Sequence, residues 1–353
     1  MKLPLMSNMK AIVYYGPGDI RFELISIPKY RNNELLVKVD ACAVCGTDLK
    51  SFRSGNPRIK APIVMGHEFT GYVENIGRSV RGFDKGERIV MATSVSCGEC
   101  YYCKKGWKNL CKNIAPMGYS FPGGMAEYIS IPERALKYGH VIKVPANVKA
   151  EHAALAEPLS CAINAAVNAR IQPGELVVVL GAGPMGLMNA LVAKALGARK
   201  IIISEINDER LSQAREFDID VLVNPEKMDL TEIVKENTGG YGADTVIVAA
   251  PAALPQETAV KLVRKKGTIC LFASLPLGNE MLSINSRVVH YGEITIVGSS
   301  DSTPEHVKKA VEMISTGQLP ADKLVTHIMK LGQISKAFDL METGQSLRIV
   351  LKS

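Results

Sequence analysis

No apolar run among the 353 residues reaches the roughly 20 that a membrane-crossing helix needs, so a helical membrane protein is not expected. The opening segment, from Met1 to Met9, holds too short an apolar stretch for the core of an export signal, and a cytoplasmic protein is expected. Charge of one sign is missing too. The formal net charge of +7 comes from 42 Lys and Arg scattered among 35 Asp and Glu, which argues against a nucleic-acid partner. The tightest basic cluster, Arg264, Lys265 and Lys266, reads as the solvated end of a helix before Gly267. Repeats and low-complexity segments are absent, which sets solenoids aside. A content of 47% hydrophobic and 22% charged residues excludes disorder, and the length suits two domains.

What is present falls into two textures. Short strand-like runs broken by Gly, Pro and Asn occupy 11–15, 34–39, 69–73, 88–91, 126–130 and 141–144, the pattern of a compact, partly open β-barrel. From 149 onward a long helical stretch, 151–169, precedes fully apolar strands at 176–180, 200–204, 245–249 and 268–272 that alternate with helices. That alternation predicts a doubly wound parallel sheet with both faces covered. Helices at 304–316 and 334–343 and a strand at 348–351 follow once the sheet is complete, and they are expected to return to the first domain. The predicted boundaries are 1–157, completed by 297–353, and 158–296.

The apolar run 176–180 leads into Gly181-Ala-Gly183-Pro184-Met185-Gly186 and then a helix at 187–196. Each glycine answers a mechanical need, Gly181 for the tight turn, Gly183 for close approach of a pyrophosphate, and Gly186 for packing helix on strand. An acidic residue, Glu205, ends the next strand, where a carboxylate accepts from the ribose 2′-hydroxyl of NAD and repels the 2′-phosphate of NADP. NAD is the expected cofactor. Arg210, five residues on, is either a point of tolerance for a phosphate or a surface charge on a helix start.

Eight cysteines without an export signal read as reduced thiols rather than disulfides. Cys97, Cys100, Cys103 and Cys111 place four thiols within fifteen residues, the density that lets one lobe fill a tetrahedral zinc with sulfur. Such a closed site is structural; a rubredoxin-like iron or a redox cluster are the alternatives. A second, mixed donor set comprises Cys45, His67, Glu68 and Glu157, the kind that leaves a catalytic zinc an open position. Cys42, three residues before Cys45, makes a possible redox pair, while Cys161 and Cys270 read as small core residues.

Taken in order, Cys45-Gly-Thr47-Asp48, Gly66-His67-Glu68, the four-cysteine lobe, Glu157-Pro158 and the glycine fingerprint resemble the zinc-containing medium-chain alcohol dehydrogenases. The likeness runs over essentially the whole chain from Met9. It is greatest to the polyol (sorbitol or iditol) and threonine dehydrogenase branch, because Glu68 follows His67 and Glu157 stands where simple alcohol dehydrogenases carry a cysteine ligand. The stretches 324–327 and 348–351 also look like that branch. The resemblance implies an α/β protein with a GroES-like β-barrel catalytic domain and a Rossmann domain, two zinc ions per subunit, NAD, a small-molecule alcohol substrate and a homotetramer or homodimer. It implies direct zinc ligation by Cys45 and His67, direct or water-linked ligation by Glu68 and Glu157, no ligand role for Cys42, and a Thr47 hydroxyl that passes the alcohol proton outward.

Two positions depart from that pattern. Lys50 stands where many relatives carry a relay histidine, and Ser300-Asp301-Ser302 replaces a Phe-Arg-Tyr run that contacts the sugar alcohol. Asp301 could favour an amino alcohol, and Lys50, Arg53, Arg58 and Lys60 a sugar-alcohol phosphate; a solvated surface explains the same charges. The expected activity is zinc-dependent oxidation of a secondary alcohol to a ketone. L-Threonine 3-dehydrogenase or a hexitol-phosphate dehydrogenase is the alternative within enzymes, and a non-catalytic NAD-binding protein the alternative outside them.

Overall fold

The strand Leu35–Ala43 is buried along nearly its whole length, and every other backbone feature of its sheet is arranged around it. In this computed structural model, which describes residues 8–353, one edge of that strand pairs antiparallel with Glu68–Ile76. The other edge is shared: Leu35 to Lys38 pair with Tyr128–Ile131, while Cys42 and Ala43 pair with Arg348–Lys352. Of the seven strands, Tyr128–Ile131 stands off the main path, and the other six run Val141–Lys143, Arg88–Met91, Glu68–Ile76, Leu35–Ala43, Arg348–Lys352, Val325–Lys330. A three-stranded sheet of Asp19–Ser26, Asn8–Gly16 and Ile63–Val64 lies beside it in the order given. Of the opening segment read for an export signal, residues 1–7 lie outside the described residues.

By internal contact the chain divides into two units, residues up to 160 together with 302–353, and residues 161–301. The core of the first is a cluster of Ile12, Leu35, Val37, Phe69, Ile89, Met125, Ile129, Phe338 and their neighbours. The core of the second is built on the fully buried strand Leu176–Leu180. Its six parallel strands run in the order Val221–Val223, Lys200–Ser204, Leu176–Leu180, Ala243–Val248, Val263–Leu271, Thr295–Gly298, the doubly wound order that the apolar strands predict. No helix among the described residues is long and apolar enough to cross a membrane.

Three local expectations are corrected. The single helix 151–169 is two, Ala150–Ala153 and Ala156–Ala169. Pro158 has no N–H to give the Ala154 carbonyl and so must sit in the first turn of a new helix. Arg264, Lys265 and Lys266 belong to the strand Val263–Leu271 rather than to a helix end, with Lys266 in a left-handed conformation (φ 62°) at a shift in register. Cys161 is only half-buried, whereas Cys270 is in the core, where burial pushes its thiol up to about 12.

Phe338 is 1% exposed and stacks on Phe52 with ring centroids 5.3 Å apart. Replacing it by alanine opens a cavity in the first core, so Phe338→Ala is expected to cost about 3–5 kcal/mol, read as a lowered thermal midpoint.

Candidate functional site

Two paired strands deliver the first group of donors. Because Ala43 pairs with Glu68 and Cys42 with Phe69, the end of one strand and the start of its antiparallel neighbour coincide, which brings Cys45 beside His67. Gly66 makes this possible: it has φ +92°, and a Cβ there would meet Met125 Cγ at 2.6 Å and Cys42 Sγ at 2.7 Å. The donor atoms of Cys45, His67 and Glu68 lie within 4.8 Å of one another. Thr47 Oγ1, in the first turn of helix Gly46–Ser54, is 3.6 Å from Cys45 Sγ.

The charges that act most strongly on His67 are negative. Burial works against a protonated imidazole, yet Asp48, Cys45 and Glu157 together hold its pKa well above the ordinary value. Asp48 is 3% exposed, accepts from the Cys45 N–H at 3.0 Å, and lies 3.6 Å from His67 Nδ1. His67 Nδ1 is a buried atom without a hydrogen bond among the described residues. Burial raises the Asp48 carboxyl, so a carboxylate here needs a cation near it. Glu68, 1% exposed, finds one in Arg348, whose guanidinium donates to Glu68 Oε2 from 280 residues away. A thiol, an imidazole and two buried acids that together favour positive charge are the donor chemistry of a zinc ion. Neither Asp48 nor Arg348 carries a metal-type spacing of its own, so sequence reasoning missed both. Cys42 is buried in the strand, and burial pushes its thiol well up, which argues against a reactive pair with Cys45.

Four sulfurs form the second group. Cys97, Cys100, Cys103 and Cys111 lie within 4.8 Å of one another, with Sγ separations of 4.0 Å (Cys97 to Cys103), 3.5 Å (Cys100 to Cys103) and 3.9 Å (Cys100 to Cys111). Zinc with sulfurs at about 2.3 Å spaces them by about 3.8 Å along each edge of the tetrahedron, so the cluster fits. The thiols differ: backbone N–H groups of Cys103 and Lys112 hold Cys100 down to about 6, whereas burial pushes Cys111 up to about 12 although the Cys97 N–H donates to its Sγ at 3.2 Å. Side chains from outside pin the lobe's ends. His140, 1% exposed and held down to about 4 by burial, accepts from the Ser96 N–H at 3.2 Å; Arg134 donates to the Ser96 carbonyl at 2.7 Å, to the Asn113 carbonyl and to Cys111 Sγ at 4.0 Å.

The third group lies in the unit of residues 161–301. Gly181 turns at φ +110°, and Gly183 caps helix Pro184–Ala195, with Pro184 and Met185 opening it. A Cβ on Gly183 would meet nothing within 4 Å, open space for a phosphate at a helix N-terminus, whereas one on Gly186 would meet Gly181 O at 1.9 Å. Glu205 is 7% exposed; its Oε2 accepts from the Ala182 N–H at 2.9 Å and its Oε1 from the Asn207 N–H at 3.0 Å. A carboxylate offers about four lone-pair sites, so two remain for a ribose. Arg210 Nη1 is 3.9 Å from Glu205 Oε2, turned toward the carboxylate rather than left to solvent alone.

Among the other charged candidates, Arg53 is taken up by Glu342, to which it donates twice at 2.7 and 2.6 Å. Lys50 is exposed on helix Gly46–Ser54. Asp301 adopts a left-handed conformation (φ 60°), with Asn164 Nδ2 donating to its carbonyl at 2.8 Å.

If the lobe holds metal as its geometry indicates, Cys100→Ser is expected to lower the metal content by one ion per chain and to lower the thermal midpoint. A variant with unchanged content by atomic spectroscopy would count against four-sulfur binding.

Comparison with known proteins gives the family. Residues 31–146 match the alcohol dehydrogenase GroES-like domain, and residues 184–316 match the zinc-binding dehydrogenase domain. The chain is 33% identical over 350 residues to a sorbitol dehydrogenase of Halalkalibacterium halodurans, covering 97% of this chain and 99% of that one. It is 30% identical to a D-arabitol-phosphate dehydrogenase of Enterococcus avium, covering 99% of each. The fold of 2R,3R-butanediol dehydrogenase from Bacillus subtilis superposes with a TM-score of 0.89 at 26% identity, over 98% of this chain and 99% of that one. The chain therefore belongs to the zinc-containing medium-chain alcohol dehydrogenases, enzymes that work with zinc and NAD(P).

Proposed function

We propose that the chain oxidises a secondary alcohol of polyol type to a ketone, with NAD as hydride acceptor. The observation that carries this reading is the meeting of Cys45, His67 and Glu68 at two paired strand ends with the Thr47 hydroxyl alongside. Cys45 and His67 would hold the catalytic zinc directly, with Glu68 and Glu157 bound to it directly or through a water, and the lobe of Cys97, Cys100, Cys103 and Cys111 would hold the structural one. When bound, zinc supplies the positive charge that makes an alcohol more acidic, and NAD supplies the site that takes its hydride.

The chain's own residues do the rest. Asp48, 3.6 Å from His67 Nδ1, places a negative charge on that side of the ring and leaves the other ring nitrogen for the donor cluster. Arg348 fixes Glu68 through one carboxylate oxygen and leaves the other for the cluster. Thr47 Oγ1 takes the hydroxyl proton of the substrate and passes it outward. Gly181, Gly183 and Gly186, with Pro184 and Met185, form the pyrophosphate turn, and Glu205 accepts from the ribose with Arg210 beside it. The first unit is the catalytic domain and the second the nucleotide domain, in a homotetramer or homodimer working in the cytoplasm. The polyol reading follows the sorbitol dehydrogenase relative, and the D-arabitol-phosphate relative keeps phosphorylated substrates in view.

Cys45→Ser is expected to abolish NADH formation from a panel of hexitols, hexitol phosphates, L-threonine and simple secondary alcohols while circular dichroism stays native. Undiminished turnover would overturn the role of Cys45. The wild-type enzyme is expected to show a higher kcat/KM with NAD than with NADP, and Glu205→Ala to narrow that difference by about tenfold, the loss of one charge-dependent contact. A wild-type preference for NADP would overturn the reading of Glu205.

A further inference from the structure

Arg58 has no part in the chemistry above. It lies in the turn between helix Gly46–Ser54 and strand Ile63–Val64, and its backbone N–H donates to Asn56 Oδ1 at 3.0 Å. Its guanidinium sits over the Tyr119 ring, with Cζ 5.5 Å from the centroid. Tyr119 sets that ring edge-on to the His67 imidazole, centroids 5.8 Å apart and planes at 65°. The order is therefore His67, Tyr119, Arg58, all within one unit. Tyr119 is only 9% exposed, so its ring is a packed wall between the other two.

Nearby Arg53 has spent its charge on Glu342. Arg58 has not: among the described residues no carboxylate pairs with it, and its side chain is exposed. Stacking engages the flat face of a guanidinium and leaves the N–H donors in its plane for an oxyanion, which they can meet in pairs. A free surface arginine binds an anion weakly because it must first be ordered. The Tyr119 ring does part of that ordering in advance.

Resting on the alcohol oxidation assigned above, we propose that Arg58 is the specificity-determining residue of an anion subsite. It binds a phosphate or carboxylate carried by the secondary-alcohol substrate a few carbon atoms from the hydroxyl that reacts. One aromatic ring separates the subsite from the His67 imidazole, a span that a short polyol chain bridges.

The test compares the wild-type holoenzyme with Arg58→Gln and Arg58→Lys on a hexitol, its terminal phosphate ester and the corresponding aldonic acid. The wild type is expected to prefer an anionic form over the neutral hexitol by kcat/KM, and which anion is preferred tells phosphate from carboxylate. Arg58→Gln is expected to lower the anionic-to-neutral ratio by about tenfold to a hundredfold, through KM rather than kcat, with partial recovery in Arg58→Lys. A wild-type ratio near one that Arg58→Gln leaves unmoved would overturn the subsite while leaving the dehydrogenase intact. Calorimetric titration with inorganic phosphate needs no turnover and decides the matter even if none of these alcohols is oxidised. Binding that weakens in Arg58→Gln supports the subsite, and binding that is absent or indifferent to the substitution refutes it.

Discussion

Charge balance around His67 is the constraint on which the first unit depends. Asp48 and Glu68 are nearly inaccessible to water, the field of Glu157 reaches the imidazole, and a thiol completes the set. Desolvated acids in such number are tolerable only against cations. The fold provides one, Arg348, at the beginning of the strand that completes the edge of Leu35–Ala43. The donor chemistry calls for another, a charge that a divalent metal would supply. Sheet completion and site electrostatics are thus a single event, since the strand that fills the gap also carries the compensating guanidinium.

Much of this could be read from the residues, for reasons that can be named. Strands buried on both faces leave an unbroken apolar signature, so Leu176–Leu180 and Lys200–Ser204 were legible to the residue. The edge strands Val221–Val223 and Thr295–Gly298 were not, because runs of three or four residues are too short to carry a period. The four-cysteine lobe is legible because its ligands are local, and its sulfurs do converge. Asp48 and Arg348 are the opposite case. Each matters through a partner that folding alone brings close, and 280 residues separate Arg348 from Glu68.

The lobe itself shows how a segment with little apolar content is kept in shape from outside. Gly98 turns at φ +74° directly under Tyr138, whose ring atoms a Cβ would approach to 2.0 Å, and the Tyr138 hydroxyl donates to Glu99 Oε1 at 3.0 Å. With His140 and Arg134 on Ser96, Asn113 and Cys111, the surrounding residues fix the first and last cysteines of the lobe before any ion is considered.

The strand Arg348–Lys352 has a consequence for the order of events on the ribosome. Chains emerge from the N-terminus, and units fold as their residues become available. Residues 161–301 are complete, and free to fold, while the sheet of the first unit still lacks the strand that pairs with Cys42 and Ala43. Until that strand arrives, Glu68 has no guanidinium beside it and the nascent site carries uncompensated acid. Compensation of the acids beside Cys45 and His67 is thereby tied to the arrival of that strand, and a chain interrupted before residue 348 would hold a complete second unit and an incomplete first one.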